Sequence, residues 1–220
     1  MDVLEALKRR KSTRAFLDKV PSEDLIKSLL DGAKLSPSGV NMQPWELCVV
    51  SKDKKKQIES KVLKAFDAKK SKMDYQYYPK EWKEPYNSRR KEMGLLMYKT
   101  LEITREDKVK QAKQWKKNYE AFGAPIVVYF FIDKTLGVGS WLDYGMFLQS
   151  FMLLACERGL ATCPMASLAE FPNIVREELE IDENKLLLCG IALGYEDKNA
   201  KVNSFKTSRI GLKEFCKFYS

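Results

Sequence analysis

Two short basic clusters near opposite ends of the chain carry residue types that bind phosphate. The first, at 9–14, reads Arg-Arg-Lys-Ser-Thr-Arg, and the second, at 203–209, reads Asn-Ser-Phe-Lys-Thr-Ser-Arg. Arginine offers paired donors and Ser or Thr offers hydroxyls, which suits a dianionic phosphate where no glycine-rich phosphate loop is present. Either cluster alone is more often a solvated helix end, but the two together favour an anion site.

A third polar feature is the loop 37–45, Pro-Ser-Gly-Val-Asn-Met-Gln-Pro-Trp. Its small and amide-bearing residues can present backbone N–H groups and carboxamides to a planar heterocycle with polar edges. The same residue types dominate ordinary turns, so the loop gains its weight from the two basic clusters.

Histidine is absent from the chain. This excludes His-based triads, helical zinc-protease motifs and most zinc or iron sites. Hydride transfer suits the restriction, because a bound cofactor carries the reaction while the protein orients and polarises it. Any chemistry must therefore be done by a cofactor or by Ser, Lys, Tyr, Arg, Asp or Glu side chains. We predict no metal site, and if a cofactor carries the hydride no protein nucleophile is required.

The net charge of +9 comes from one part of the chain. Residues 52–119 hold 21 Lys and Arg against 10 Asp and Glu, so the remainder is near neutral. Basic residues interleaved with aromatics, such as Trp82 and Trp115, are compatible with nucleic-acid binding. Solvated helix faces are the commoner interpretation, and steering of anionic small molecules is compatible with it.

Composition predicts a folded cytoplasmic protein without a membrane span. Of the 220 residues 45% are hydrophobic and 31% charged, and no apolar run reaches bilayer length. The N-terminus does not look like a signal peptide, and the five cysteines are dispersed without CxxC spacing. An odd, dispersed set argues against a disulfide framework.

Periodicity predicts the elements that position these features. Asp2 and Ser22 read as helix N-caps, and Gly159 ends a helix over 141–158 that is apolar nearly all round. Such a helix belongs in the core or at a subunit interface. We also predict a helix at 53–69, helical structure over 90–119, and strands at 46–50, 126–132, 162–165 and 186–193. The mixture of elements indicates an α/β or α+β class, with residues 71–90 as an inserted lid or arm.

Five motifs, in order along nearly the whole chain, resemble the FMN-dependent nitroreductase family. They are Arg-Lys-Ser-Thr-Arg-Ala-Phe at 10–16, Ser-Pro-Ser-Gly-Val-Asn-Met-Gln-Pro-Trp at 36–45, Trp-Leu-Asp-Tyr-Gly-Met-Phe-Leu-Gln at 141–149, Gly-Leu-Ala-Thr-Cys-Pro at 159–164, and Gly-Tyr-Glu-Asp at 194–197 with Val-Asn-Ser-Phe-Lys-Thr-Ser-Arg at 202–209. The longer middle segment, with Tyr-Tyr-Pro at 77–79, is similar to the branch associated with nitroaromatic and nitrobenzoate reduction.

The resemblance implies one α+β domain over 1–220, with a small mixed sheet surrounded by helices and an insertion at about 70–120. It implies an interlocked homodimer that binds FMN and takes hydride from NADPH or NADH. The nicotinamide and a nitroaromatic or quinone-like acceptor would use the same slot in turn, which gives ping-pong kinetics. Neither a nucleic acid nor a membrane is implied as a partner.

It also implies a set of cofactor-binding residues. The FMN phosphate and ribityl chain would be held by Arg10, Lys11, Ser12 and Arg14, joined by Lys206 and Arg209. The isoalloxazine would be contacted from the second subunit by Pro37, Ser38, Gly39 and Asn41. Its other face, near the flavin N5, would meet Pro164, Met165 and Ala166, and Asn118 would reach the pyrimidine edge.

Several choices stay open at this level. Lys11 stands where Arg is usual in the family, which keeps the charge but loses the paired donors. The run Met165-Ala166-Ser167 has no acid where some relatives have one, so the sequence selects no acceptor. The same flavin fold also serves dehydrogenation and reductive dehalogenation. The contact to the flavin N1–C2 edge, the choice of NADH or NADPH, and the role of 71–90 are likewise open.

Overall fold

One four-stranded sheet organises the fold in the computed structural model, which describes all 220 residues. The strands, in chain order, are β1 Glu46–Ser51, β2 Ile126–Asp133, β3 Ala161–Met165 and β4 Lys185–Gly194. They lie in the order β1-β2-β4-β3, and every neighbouring pair is antiparallel. The four predicted strands are confirmed, within a residue or two at their ends.

The sheet is antiparallel, whereas a mixed sheet was expected. β2 and β3 do run in the same direction, but β4 lies between the two and opposes both. The parallel pairing that remains is an isolated bridge between Ser12 and Thr162. The α+β class predicted from the sequence is confirmed.

Seven α-helices surround the sheet. They are α1 Val3–Arg9, α2 Glu23–Ala33, α3 Lys52–Asp67, α4 Tyr86–Thr100, α5 Lys108–Lys116, α6 Val138–Glu157 and α7 Pro172–Leu179. The two predicted N-caps are confirmed: Asp2 Oδ1 accepts a hydrogen bond from the Glu5 amide at 2.7 Å, and Ser22 Oγ from the Leu25 amide at 3.3 Å. Gly159 follows α6 with φ +74°, the left-handed conformation that favours glycine at a helix end.

The central strand β2 explains why the core has two layers. It is buried at every position except Asp133, and successive side chains point to opposite faces. Val127, Tyr129 and Phe131 belong to the layer packed with α3 and α7. Val128, Phe130 and Ile132 belong to the other layer, with α2 and α6.

The inserted segment begins as an aromatic strip against the flank of the sheet. Tyr75 packs edge-on against Trp141 of α6, with ring centroids 4.7 Å apart, and its hydroxyl donates to the Leu188 carbonyl of β4. Tyr77 and Tyr78 continue the strip and are about half exposed. Of the two roles left open for 71–90, flank packing is thus the one that Tyr75 adopts within this chain.

The remaining insertion is helical but contributes little to the core. α4 has no buried residue and α5 has only Gln114. Glu102 adopts a left-handed φ of +55° just after α4, so the helical composition at 90–119 is divided by a turn. No helix of the chain has the length and apolar character needed to cross a membrane.

Candidate functional site

The N-terminal arm, residues 10–16, lies along the free edge of β3. The Thr13 amide donates to the Thr162 carbonyl at 3.0 Å, and Ser12 forms the parallel bridge with Thr162. An edge strand leaves one row of backbone groups without sheet partners, and the arm occupies part of that row. Pro164 follows two residues later, so the arm and the end of β3 share one edge of the sheet.

The C-terminal arm, residues 203–209, is joined to the N-terminal arm by Asn203. The side chain of Asn203 accepts a hydrogen bond from the Arg14 amide at 2.8 Å and donates to the Ala15 and Asp197 carbonyls at 2.8 and 2.9 Å. Its own carbonyl accepts from the Lys11 ammonium. The two basic clusters recognised in the sequence therefore meet in space.

Between the arms lies a cavity of about 460 Å³, which we call the basic cavity. Six of its eleven lining residues are cations and none is acidic. The lining residues are Leu7, Lys8, Arg10, Lys11, Ser12, Arg14, Met93, Phe205, Lys206, Thr207 and Arg209. All six residues predicted to hold a phosphate are among them, and a lining of six cations and two hydroxyl residues with no carboxylate suits a dianion.

The cations of the basic cavity differ in how many interactions they already make with other residues of the chain. Lys11 forms an ion pair with Glu196 at 2.7 Å, which offsets its charge. The Arg14 guanidinium lies 6.0 Å from the Phe122 ring centroid and 5.8 Å from that of Phe205, so the two rings help to hold it in place. Arg10 and Lys206 make no ion pair or side-chain hydrogen bond within the chain, so their charges are free for a ligand.

Of the three residues expected near the flavin N5, Pro164 is exposed and Met165 buried at the end of β3, and Ala166 begins the helical turn that follows. Just beyond them, Ser167 Oγ is the one buried side-chain oxygen or nitrogen in the chain without a hydrogen-bond partner. Buried hydroxyls are normally paired, so this oxygen retains an unused hydrogen-bonding capacity next to the end of β3. Before Pro164, burial raises the pKa of the Cys163 thiol to about 11, which keeps it protonated and unreactive near neutral pH.

The amide-rich loop is held away from the basic cavity. None of Pro37, Ser38, Gly39 and Asn41 lines that cavity within this chain. The Gly39 amide donates instead to the Asp143 carboxylate on α6, at 3.1 Å. Val40 and Asn41 have left-handed φ values of +46° and +57°, a strained conformation for valine in particular.

Asn118 lies outside the basic cavity, in the segment between α5 and β2. Its carboxamide donates to the Trp115 carbonyl at 2.8 Å. Its neighbour Lys117 lines an adjoining open groove of about 720 Å³ that also contains Arg14. Arg14 therefore connects the basic cavity to the surroundings of Asn118.

Three residues of the site were not selected from the sequence. Asp143 offered a signal, because it is a charged residue in an otherwise apolar helix, where burial demands a partner. Asn203 stood at the start of the second basic cluster but was not distinguished from its neighbours. Glu196 stood in the motif at 194–197, but nothing in the sequence indicated that the fold brings its carboxylate to Lys11.

Solved structures share this architecture. NfnB from sphigopyxis sp. strain HMH, described as an FMN and NADPH-dependent nitroreductase, superimposes with a TM-score of 0.97 and 35% identity over 100% of both chains. The FMN-dependent nitroreductase NfnB from Mycobacterium smegmatis, solved in complex with NADPH, gives a TM-score of 0.93 and 29% identity, again over 100% of both chains. The fold and the site define an oxidoreductase.

The chain belongs to the nitroreductase family, whose profile matches residues 7–195. Among characterised relatives, a 4-nitrobenzoate reductase from Pseudomonas putida is 37% identical over 95% of this chain and 92% of its own length. The family resemblance seen in the motifs is thereby confirmed.

Proposed function

We propose that this protein is an FMN-dependent oxidoreductase that uses NADPH or NADH to reduce nitroaromatic compounds. The observation that carries the proposal is the meeting of two basic arms around a cavity that contains no carboxylate. The FMN- and NADPH-dependent NfnB structures and the 4-nitrobenzoate reductase support it.

The residues present fit the cofactor. Free cations at Arg10 and Lys206 and the hydroxyl of Ser12 form a donor set for the phosphate, with Lys11, Arg14 and Arg209 completing it. Pro164, Met165 and Ala166 provide an uncharged strand end for one face of the ring, and the unpaired Ser167 Oγ a donor beside it. When bound, FMN supplies hydride transfer, which the side chains do not provide. Asn118 is assigned to the pyrimidine edge.

A homodimer forms part of the same proposal. Pro37, Ser38, Gly39 and Asn41 do not reach the basic cavity of their own chain, so their assignment to the ring requires a second copy. The hydrogen bond from the Gly39 amide to Asp143 holds the loop against α6 and supports this role. We also assign the protein to the cytoplasm, which is supported by five cysteines that are all free thiols.

The acceptor is assigned by class. Nitroaromatic and quinone-like molecules are both flat and electron-poor, and residues 164–167 carry no charge that would select between them. Because donor and acceptor use one slot in turn, we expect ping-pong kinetics, with parallel double-reciprocal plots for NADPH against 4-nitrobenzoate.

The first test is the visible absorption spectrum of the purified protein before and after anaerobic NADPH. A flavin band that bleaches and then recovers on adding 4-nitrobenzoate is the expected result. A colourless protein that does not bind added FMN would contradict the proposal.

The residue assignments are tested by Arg14→Ala and Arg209→Ala. Each removes a charge-assisted contact of roughly 1.5–3 kcal/mol, so we expect FMN affinity to fall roughly 10–150-fold. Arg105→Ala is the matched control, because Arg105 is exposed and lies outside the basic cavity. Unchanged flavin occupancy in both variants would refute the phosphate assignment.

A further inference from the structure

Asn203 occupies an unusual position relative to the basic cavity. It ends the short helical turn Lys201–Asn203 and directly precedes the stretch that carries Lys206 and Arg209. The residue is 3% exposed, and its side-chain partners are all protein groups. Asn203 is not among the residues that line the basic cavity, and it is therefore not a phosphate ligand itself.

The contacts of Asn203 join the two arms on both sides of Ser12. Its side chain bonds to the backbone of Arg14 and Ala15, after Ser12, and its carbonyl accepts from Lys11, before it. A third side-chain bond, to the Asp197 carbonyl, ties the amide to the loop after β4. Both N–H donors and the carbonyl oxygen of the carboxamide are used, so the group has one orientation that satisfies it.

An uncharged side chain that links the two arms has an advantage beside the basic cavity. Six cations around one cavity repel one another until an anion binds, and that repulsion tends to separate the arms. A carboxylate at position 203 would hold cations but would also cancel part of the positive potential. An amide holds the backbone without changing the charge of the cavity, and such preorganisation increases ligand affinity.

We propose that Asn203 is the positioning residue for the phosphate of the cofactor. Its amide fixes the register of the two arms, so that Lys206 and Arg209 face Arg10 and Ser12, and it thereby gives the protein its preference for FMN over a flavin without phosphate. The inference rests on the proposed function, because it concerns the same cofactor.

The experiment measures the affinities of FMN and riboflavin by fluorescence quenching on the full-length chain freed of flavin. Asn203→Ala removes the three side-chain bonds. We expect the FMN dissociation constant to rise at least about tenfold, while that of riboflavin changes less than about twofold. A merely structural role would weaken the binding of both flavins by the same factor.

Asn203→Asp keeps the size of the side chain and so guards against a folding defect. It retains an acceptor for the Arg14 amide but sets a carboxylate against the Ala15 and Asp197 carbonyls, and it adds negative charge beside the cavity. We expect a larger selective loss of FMN affinity than in Asn203→Ala. Asn199→Ala is the matched control, because Asn199 is exposed and its side chain makes no hydrogen bond.

Thermal unfolding without flavin shows whether each variant folds. Equal losses for FMN and riboflavin in the folded variants, or no loss for either, would overturn the role of Asn203. A native protein that binds neither flavin would instead contradict the proposed function itself, so the two failures are distinguishable.

Discussion

Burial changes the pKa of Glu170, a carboxylic acid close to the candidate site. It ends the helical turn Ala166–Glu170 that follows β3, and its Oε2 accepts a hydrogen bond from the Tyr119 hydroxyl at 2.8 Å. Burial raises the pKa of Glu170 more than this hydrogen bond lowers it. Burial of Tyr119 raises the pKa of its hydroxyl, and so does its hydrogen bond to the Glu170 carboxylate. Glu170 is therefore an acid whose ionisation opposes folding.

We predict that Glu170→Gln stabilises the protein at pH 7 and not at low pH. A folded-state pKa above the unfolded value means that the charged form costs stability once the pH exceeds the ordinary pKa of glutamate, about 4.3. Glutamine keeps an acceptor for Tyr119 without the charge, so its advantage grows as the pH rises through that range. Urea denaturation at several pH values measures it. Glu183→Gln, at an exposed position, is the control, and an advantage of Glu170→Gln independent of pH would contradict the assignment.

Single residues also mark the limit of inference from the sequence. The residue types at 10–14 and 206–209 were enough to suggest an anion site, because phosphate recognition depends on local chemistry, and the family resemblance then named six of the residues that line the basic cavity. The partners of Asn203 could not be found in this way, since Arg14 lies 189 positions away and no local pattern links the two. The ion pair between Lys11 and Glu196 could not be predicted either, because no local pattern links the two residues.

The elements were predictable where local signals act alone. Side-chain caps fixed the starts of α1 and α2, and an apolar run identified β2. The antiparallel sheet was not predictable, because the insertion of β4 between β2 and β3 is decided by packing on both faces. α4 gave no periodic signal either, because none of its residues is buried in this chain.

Asp74 attaches the start of the inserted segment to α7 and β4. Its carboxylate forms an ion pair with Arg176, which is 8% exposed and also donates to the Asn173 side chain and the Lys185 carbonyl. The Leu187 amide donates to the same carboxylate at 3.3 Å. Removal of Asp74 would leave a buried guanidinium without its counter-charge.

We predict that Asp74→Ala destabilises the protein by about 3–5 kcal/mol, as expected when one partner of a buried ion pair is lost. The free energy of unfolding in urea measures the effect. Asp74→Asn keeps an acceptor and should cost less. Glu177→Ala, which removes an exposed carboxylate from α7, should change stability by less than about 1 kcal/mol. If Asp74→Ala lowers the free energy of unfolding no more than Glu177→Ala does, the ion pair between Asp74 and Arg176 is unimportant for stability.

At the scale of the whole molecule, the two apolar layers share one sheet, which supports the predicted single domain over 1–220. That boundary stays a prediction.

The same scale exposes a feature that one chain cannot explain. Val138, Leu142 and Met146 recur every four residues on α6 and form an apolar stripe, with Val138 and Leu142 83% and 75% exposed. Val3, Leu4 and Leu7 of α1 are exposed as well.

The stripe is where the proposed homodimer is most directly tested, because a contiguous exposed apolar surface is typical of an interface. We predict that the native protein sediments at twice the chain mass of 25.5 kDa at micromolar concentration. Leu142→Glu would bury a carboxylate in that interface, so it should shift the equilibrium towards monomer and reduce FMN retention. Val109→Glu, at an exposed site on α5, should leave both unchanged. A native monomer, or a Leu142→Glu protein that stays dimeric and retains its flavin, would show that the stripe does not form the interface and that the loop at 37–41 has no second subunit to complete.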